Sequence, residues 1–177
     1  MRKIALSISE IKDIEKREFL RLGDSFKLME QAGEACAKQI IKIYKKNKFI
    51  VICGPGNNGG DGLILSSSLS DHGKEVDLYC LGKNSYKGDS LKAYKKNKLK
   101  KKSLDELNVN QDAVIVDALF GIGLNKKIEG IFKECVDKIN NSKLKVIAVD
   151  IPSGIYGDNG KIMGDAVRAD VTLALHA

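Results

Sequence analysis

The sequence is poor in paired cysteines, in histidine and in long apolar runs. No apolar run approaches the roughly 18 residues of a membrane span, and the apolar stretch after Met1 is too short for a secretory signal. Its four cysteines lie far apart and form no C-x-x-C pair, so there is no zinc signature. We therefore expect a protein of the reducing cytoplasm, with no membrane association.

The charge of the chain is unbalanced. It has 30 Lys and Arg residues against 23 Asp and Glu, a formal net charge of +7. Much of the excess lies in Lys42–Lys48 and in Lys95–Lys102, where no aromatic residues interleave to stack nucleic-acid bases. This pattern favours solvated lysine-rich faces over a nucleic-acid interface.

The order of apolar runs predicts an α/β fold in one domain. Two amphipathic helices come first, with Ser7 or Ser9 and then Asp24 as N-caps. Strand-like and helix-like runs then alternate, which is typical of right-handed βαβ units. The predicted strands are Phe49–Cys53, Glu75–Leu81, Leu99–Leu104 (weak, at an edge), Ala113–Asp117, Lys145–Asp150 and Asp170–Leu175; the predicted helices between them are Leu63–His72, Gly88–Asn97 and Glu129–Asn140. We expect a Rossmann-like three-layer sandwich with a mostly parallel sheet of order 3-2-1-4-5-6, which binds ligands where the chain reverses direction.

A glycine-rich stretch, "VICGPGNNGGDGL", follows the first predicted strand. It matches the dinucleotide-binding motif G-x-G-x-x-G only formally. Pro55 removes an amide that such a turn could offer to a phosphate, and Asp77, which is near the usual distance for the ribose-binding acid, lies in the middle of a strand. We interpret Gly54–Asp61 as a loop that lets backbone approach a ligand, with Asn57 and Asn58 supplying amides. The alternative is that Asp61 caps a helix and the glycines only form turns.

Two further polar clusters end neighbouring strands. Asp117 precedes Gly121 and Gly123, and Asp150 precedes Pro152, Ser153 and Gly154. Neither histidine lies near a cluster, so a Ser-His-Asp or Cys-His nucleophile is unsupported. Carboxylate, amide and hydroxyl oxygens suit acid–base chemistry or an alkali or alkaline-earth cation.

Three segments resemble the signature segments of the NAD(P)H-hydrate epimerases, the YjeF N-terminal domain family. They are "GPGNNGGDG", "VDALFGIGL" and "AVDIPSGIYGDNG", and "LMEQAG" in the second helix resembles a fourth family segment. The resemblance covers the chain from about Leu6 to Leu175. It implies an isomerase of metabolite repair that interconverts the R and S forms of hydrated NADH and NADPH (NADHX and NADPHX) at nicotinamide C6. A fused or separate ADP- or ATP-dependent dehydratase would then remove water from the S form and so restore the cofactor.

The resemblance also implies the site residues. The substrate-binding set is Asn57, Asn58, Gly59, Gly60, Asp61, Gly121, Ile122, Gly123, Leu124, Asn125, Lys126, Lys127 and Asp150. The implied ligands of a potassium ion (K+) are Asn58, Asp117 and Ser153. We assign the proton acceptor to Asp150 as a hypothesis, with Asp61 as the next candidate.

One departure from the family concerns the C-terminal edge. The family's domain continues past the strand that matches Val171–Leu175, whereas this chain stops at Ala177. We expect residues 1–177 to form a single domain of this type, truncated at that edge, or part of a bifunctional enzyme. A bare edge strand needs a partner, and a homodimer would supply one. Two other functions stay open at this point: an NAD-binding oxidoreductase, and a non-catalytic module that binds RNA or protein.

Overall fold

The computed structural model describes residues 6–175, apart from the side chain of Leu22, so His176 lies outside the described residues. The helices are α1 (Ile8–Leu22), α2 (Ser25–Ile43), α3 (Asn57–Asp71), α4 (Gly88–Lys96) and α5 (Gly130–Asn141). The strands are β1 (Lys48–Cys53), β2 (Glu75–Cys80), β3 (Lys101–Lys102), β4 (Val114–Ala118), β5 (Lys145–Val149) and β6 (Val171–Leu173). Among the described helices, none is long and apolar enough to cross a membrane.

The six strands form one sheet in the order β3-β2-β1-β4-β5-β6. Every neighbouring pair is parallel. The predicted order is therefore confirmed, and the chain reverses direction between β1 and β4, as expected. This pair of strands defines the switch point of the sheet.

The sheet is covered on both faces, which accounts for the fully apolar strands in its centre. Val51 and Val116 point into a core shared with α2, α3 and α4. Ile52 and Ile115 point into a second core shared with α5. These two cores give the three layers predicted from the sequence.

Local signals set several element ends. Ser7 caps α1 in a capping box with Glu10, and Asp24 caps α2 by accepting a hydrogen bond from the Phe26 amide. The weak edge strand predicted over residues 99–104 is shorter than expected. It is reduced to Lys101–Lys102 because a 3-10 turn begins at Leu104.

Candidate active site

The carboxyl ends of β1, β4 and β5 lie side by side at one edge of the sheet. The Gly54 amide donates to the Ala118 carbonyl oxygen at 3.0 Å, which extends the β1–β4 ladder past the strand ends. The three polar clusters predicted from the sequence follow these strands. The fold therefore brings them together at the switch point.

The first cluster is a loop only over Gly54–Gly56 and is helical from Asn57 onward. The sequence predicted a loop over Gly54–Asp61 and a helix from Leu63, but α3 begins at Asn57. Gly56 is the N-cap and makes no side-chain cap hydrogen bond, so the alternative in which Asp61 is the cap is also wrong. A glycine inside a helix lowers helix stability by about 1 kcal/mol relative to alanine. The low helix propensity of this glycine-rich stretch is therefore the reason why the predicted helix starts too late.

Close packing explains the glycines at the start of α3. A Cβ on Gly59 would collide with the Gly54 carbonyl group, and one on Gly62 would collide with the Cys53 and Ala118 side chains. The missing side chains let α3 lie directly on the ends of β1 and β4. These two glycines thus bring helix backbone against the sheet, a role that the loop interpretation missed.

Asp150 has an unusual backbone conformation. Its φ of 67° is the one positive value at a non-glycine residue in the described part of the chain. A left-handed conformation at such a residue costs about 1–3 kcal/mol and persists where the surrounding structure imposes it. Asp150 Oδ2 accepts a hydrogen bond from the Ile122 amide at 2.9 Å, which fixes the half-buried carboxylate against the loop that follows β4.

Asp117 and Ser153 form a fully buried pair between β4 and the segment after β5. Asp117 Oδ1 accepts from the Ser153 hydroxyl at 2.7 Å and from the Leu119 amide at 3.1 Å, and Oδ2 accepts from the Ser153 amide at 2.9 Å. Burial raises the pKa of Asp117 to about 6, although these hydrogen bonds act in the opposite direction. The pair ties the second polar cluster to the third.

Asp61 lies in the second turn of α3 and is 8% exposed. Burial raises its pKa well above the usual range, and the negative charges of Asp150 and Glu15 raise it further. Carboxyl groups from α1 and the end of β5 therefore both act on Asp61 in α3. Such an arrangement favours the protonated form of the most buried member.

Glu15 is a residue that the sequence reasoning missed. In the sequence of α1, the apolar residues Ile8, Ile11 and Ile14 recur at helical spacing, but Ile14 is 43% exposed and Glu15 is half-buried. Glu15 follows Ile8 by seven residues and Ile11 by four, so helical spacing places all three on one face. That spacing could have revealed an acidic side chain on the inward face.

Asn58 supplies an unpaired buried amide. It is 7% exposed, and neither its side-chain oxygen nor its side-chain nitrogen has a hydrogen-bond partner. A Cβ on Gly121 would lie 3.3 Å from the Asn58 Cβ and would collide with the Asp150 carboxylate, so the three residues adjoin. A buried polar group without a partner costs about 1–3 kcal/mol and calls for a ligand.

The oxygen atoms at this edge of the sheet are ligand types that fit a hard monovalent cation. Within residues 6–175, no three His, Cys, Asp or Glu side chains are grouped so that they could hold a metal ion. A cation here would depend on amide, hydroxyl and carbonyl oxygens together with one carboxylate. The unpaired Asn58 oxygen and the buried Asp117–Ser153 pair supply those groups.

The loop after β4 leads from this centre to a cleft of about 770 Å³. Gly121 and Ile122 are half-buried beside Asp150, and the Leu124 amide closes a turn onto the Gly121 carbonyl at 3.1 Å. Ile122, Gly123, Leu124 and Asn125 line the cleft, whereas Lys126 and Lys127 are exposed beyond it. The predicted substrate set therefore extends from a buried centre to an open cleft.

The residues that the alternative functions need are engaged elsewhere. Asp77, the candidate ribose-binding acid of an oxidoreductase, accepts from Lys102 at 2.6 Å and lies 3.3 Å from the Lys48 ammonium. In the basic stretch, Lys96 pairs with Glu30 and Lys100 with Glu106. These contacts support a structural role for Asp77 and a solvated lysine face.

Known proteins resemble the chain over most of its length. Residues 25–177 match the family described as YjeF-related protein N-terminus. The chain is 37% identical to the NAD(P)H-hydrate epimerase of Elusimicrobium minutum over 84% of this chain and 74% of the relative. It is 33% identical to that of Lentilactobacillus buchneri over 93% of this chain and 80% of the relative.

A longer relative and a solved structure show the same likeness. The chain is 36% identical to the bifunctional NAD(P)H-hydrate repair enzyme Nnr of Thermofilum pendens over 94% of its own length, but it spans only 34% of that relative. The crystal structure of the yeast protein YNL200c superposes with a TM-score of 0.78 at 25% identity, over 97% of this chain and 80% of that one.

Proposed function

This chain belongs to the YjeF-related protein N-terminus family, and we propose that it is an isomerase that interconverts the R and S epimers of hydrated NADH and NADPH. Relatives named NAD(P)H-hydrate epimerase align with most of the chain. The single structural observation that carries the proposal is Asp150, held in a strained conformation next to the switch point with its carboxylate beside Asn58 and Gly121. Strain of this kind concentrates at functional sites.

The reaction needs acid–base chemistry and no redox step. Carbon C6 of the hydrated nicotinamide carries a hydroxyl group and is bonded to the ring nitrogen. The ring can open to an aldehyde and close on the other face, or hydroxide can leave to give an iminium that water attacks. Both routes need a group that accepts a proton at the C6 oxygen and one that returns it.

Asp150 and Asp61 have environments that suit opposite roles. The Ile122 amide donates to Asp150 Oδ2 at 2.9 Å, which fixes the direction of this half-buried carboxylate. Burial and the neighbouring charges of Asp150 and Glu15 raise the pKa of Asp61, which favours the protonated form. We assign the proton acceptor to Asp150 and the proton donor to Asp61, because carboxyl groups whose environments differ in this way divide acid and base roles.

A potassium ion would be held by Asn58, Asp117 and Ser153, with backbone carbonyl oxygens completing its shell. The unpaired buried amide of Asn58 supports this assignment. When bound, the ion would supply positive charge beside the buried Asp117 carboxylate. Asp117 and Ser153 would hold the segments after β4 and β5 in register around it.

A dehydratase is the natural partner of this activity. One relative is named a bifunctional repair enzyme, so we propose that a dehydratase, fused or separate, acts on the S epimer that this domain delivers. Cysteines without disulfide bonds at all four positions support action in the cytoplasm.

The direct test is an epimerisation assay with the purified chain. Purified (R)-NADHX is incubated with the protein, and the appearance of the S epimer is followed by chromatography. We expect conversion well above the spontaneous rate in buffer. A rate equal to that of buffer, with protein that is folded by circular dichroism, would reject the proposed activity.

A further inference from the structure

The cleft beside the loop after β4 has a wall that the substrate set does not include. The N-terminal turn of α1 faces Ile122–Asn125 across it, and Tyr156 and Asp158 complete the lining. Its volume of about 770 Å³ falls within the range of roughly 300–1,000 Å³ that is usual for small-molecule sites. The cleft therefore has room for a substantial part of a ligand.

The cleft is continuous with the reaction centre. Ile122 belongs to both, because its amide donates to Asp150 Oδ2 at 2.9 Å and the residue also lines the cleft. A ligand whose reacting ring lies at Asp150 would have its remaining part directed along this loop. The cleft would receive that part.

Specific contacts hold α1 in place as the wall. The Ile8 amide donates to Asp158 Oδ1 at 2.8 Å. A Cβ on Gly157 would lie 3.2 Å from the Ile8 side chain and 3.3 Å from that of Ile122, so both side chains pack closely on this glycine. The start of α1 is thereby fixed against the segment after β5 and the loop after β4.

The lining combines apolar surface with one ammonium group and two carboxylates. Ile122, Leu124 and Tyr156 offer aliphatic and aromatic surface on which a base can pack. The two carboxylates of the cleft already accept hydrogen bonds from backbone amides, Asp158 from Ile8 and Glu10 from Ser7. Lys12 lines the same cleft and forms no ion pair with another described residue, so its ammonium is available to a phosphate.

We infer that this cleft binds the adenylate half of the dinucleotide substrate, with the base against Tyr156 and a phosphate facing Lys12. The inference rests on the proposed function, because it takes the dinucleotide hydrates as substrates. It assigns to α1 a binding role that none of the glycine-rich segments carries.

The test compares two substrates that differ only in the adenylate half. Hydrated NADH contains it, and hydrated reduced nicotinamide mononucleotide lacks it. We expect Lys12→Ala and Tyr156→Ala each to raise KM for hydrated NADH about tenfold and to leave KM for the mononucleotide hydrate unchanged. Lys16→Ala is the matched control, because Lys16 is exposed on the same helix one turn further on and does not line the cleft.

Binding of AMP provides a readout that does not depend on catalysis. Calorimetric titration should show AMP binding to the wild type and to Lys16→Ala, and binding about tenfold weaker to Lys12→Ala and Tyr156→Ala. If wild type epimerises but does not bind AMP, or if the variants affect both substrates alike, the inference is wrong. If AMP binds as described but neither hydrate is epimerised, the cleft assignment stands as a nucleotide site and the proposed function fails.

Discussion

Two aspartates end neighbouring strands of this sheet and have opposite environments. Asp117 is fully buried, and three donors from Ser153 and Leu119 surround its carboxylate. Asp150 is half-buried, has a left-handed backbone and receives the Ile122 amide. The first holds two loops together, whereas we propose that the second contacts the ligand, at an energetic cost to the backbone. In the proposed function, similar positions at the end of a strand thus divide into one that assembles the site and one that acts in it.

The largest expected effect is on stability and separates the two aspartates. Asp117→Ala leaves three buried donors without an acceptor, so the free energy of unfolding should fall by about 3–5 kcal/mol. Asp150→Gly removes the strain of a positive φ, so its free energy of unfolding should stay within about 1 kcal/mol of wild type. Urea denaturation of both variants checks this. Equal losses in the two variants would erase the distinction between the aspartates.

The next effect is the pH dependence of stability that Asp117 imposes. Its pKa of about 6 in the folded protein lies above the usual value of 3.8, so the folded state binds the proton more tightly than the unfolded state. Stability should therefore fall as pH rises from about 4 to about 6, by up to roughly 3 kcal/mol, and then level off. Asp117→Asn should flatten this part of the curve, although Asp61 contributes a change in the same direction.

The same unfolding experiment can be repeated with and without potassium ions. An ion held beside the ionised Asp117 should offset the loss of stability above pH 6, so unfolding in potassium chloride should require more urea than in choline chloride. The difference should be absent in Asp117→Asn. Identical curves in the two salts at pH 7 would argue against a cation at Asn58, Asp117 and Ser153.

A smaller effect on stability is expected at the start of α3, where one glycine is closely packed and another is not. Gly59 faces the Gly54 carbonyl, whereas a Cβ on Gly56 would meet open space. Gly59→Ala should cost about 1–3 kcal/mol through overpacking, and Gly56→Ala should cost less than about 1 kcal/mol. Thermal unfolding of the pair measures this difference, and equal losses would contradict the packing role of Gly59.

The fold was predictable because its signals are local and repeated. Apolar runs such as Phe49–Cys53 alternate with amphipathic segments, and parallel connection rules leave few topologies. The start of α3 was not predictable, since tertiary packing of Gly59 and Gly62 overrides their low helix propensity. The positive φ of Asp150 depends on contacts between distant segments, so no local pattern in the sequence reveals it. The inward position of Glu15 was open to prediction from its helical spacing to Ile8 and Ile11.

The smallest expected effect tests Glu15. Its negative charge helps to raise the pKa of Asp61, so Glu15→Gln should lower that pKa and move the alkaline limb of the rate profile to lower pH. The rate at neutral pH should change by less than about threefold, because burial is the larger cause. Glu18→Gln is the control, since Glu18 lies one turn away and pairs with Arg21 at 2.8 Å. Identical shifts in both variants would remove Glu15 from the site.

The most direct test of the central claim is the turnover of Asp150→Asn. Asparagine keeps the size of the side chain and tolerates a left-handed backbone, so the variant should fold and bind substrate within about tenfold of wild type, roughly 1.4 kcal/mol. Removal of the proton acceptor should lower kcat for (R)-NADHX by at least ~10²-fold. A near-normal kcat would contradict the account and transfer the role to Asp61, whereas a loss confined to KM would make Asp150 an anchor for a substrate hydroxyl.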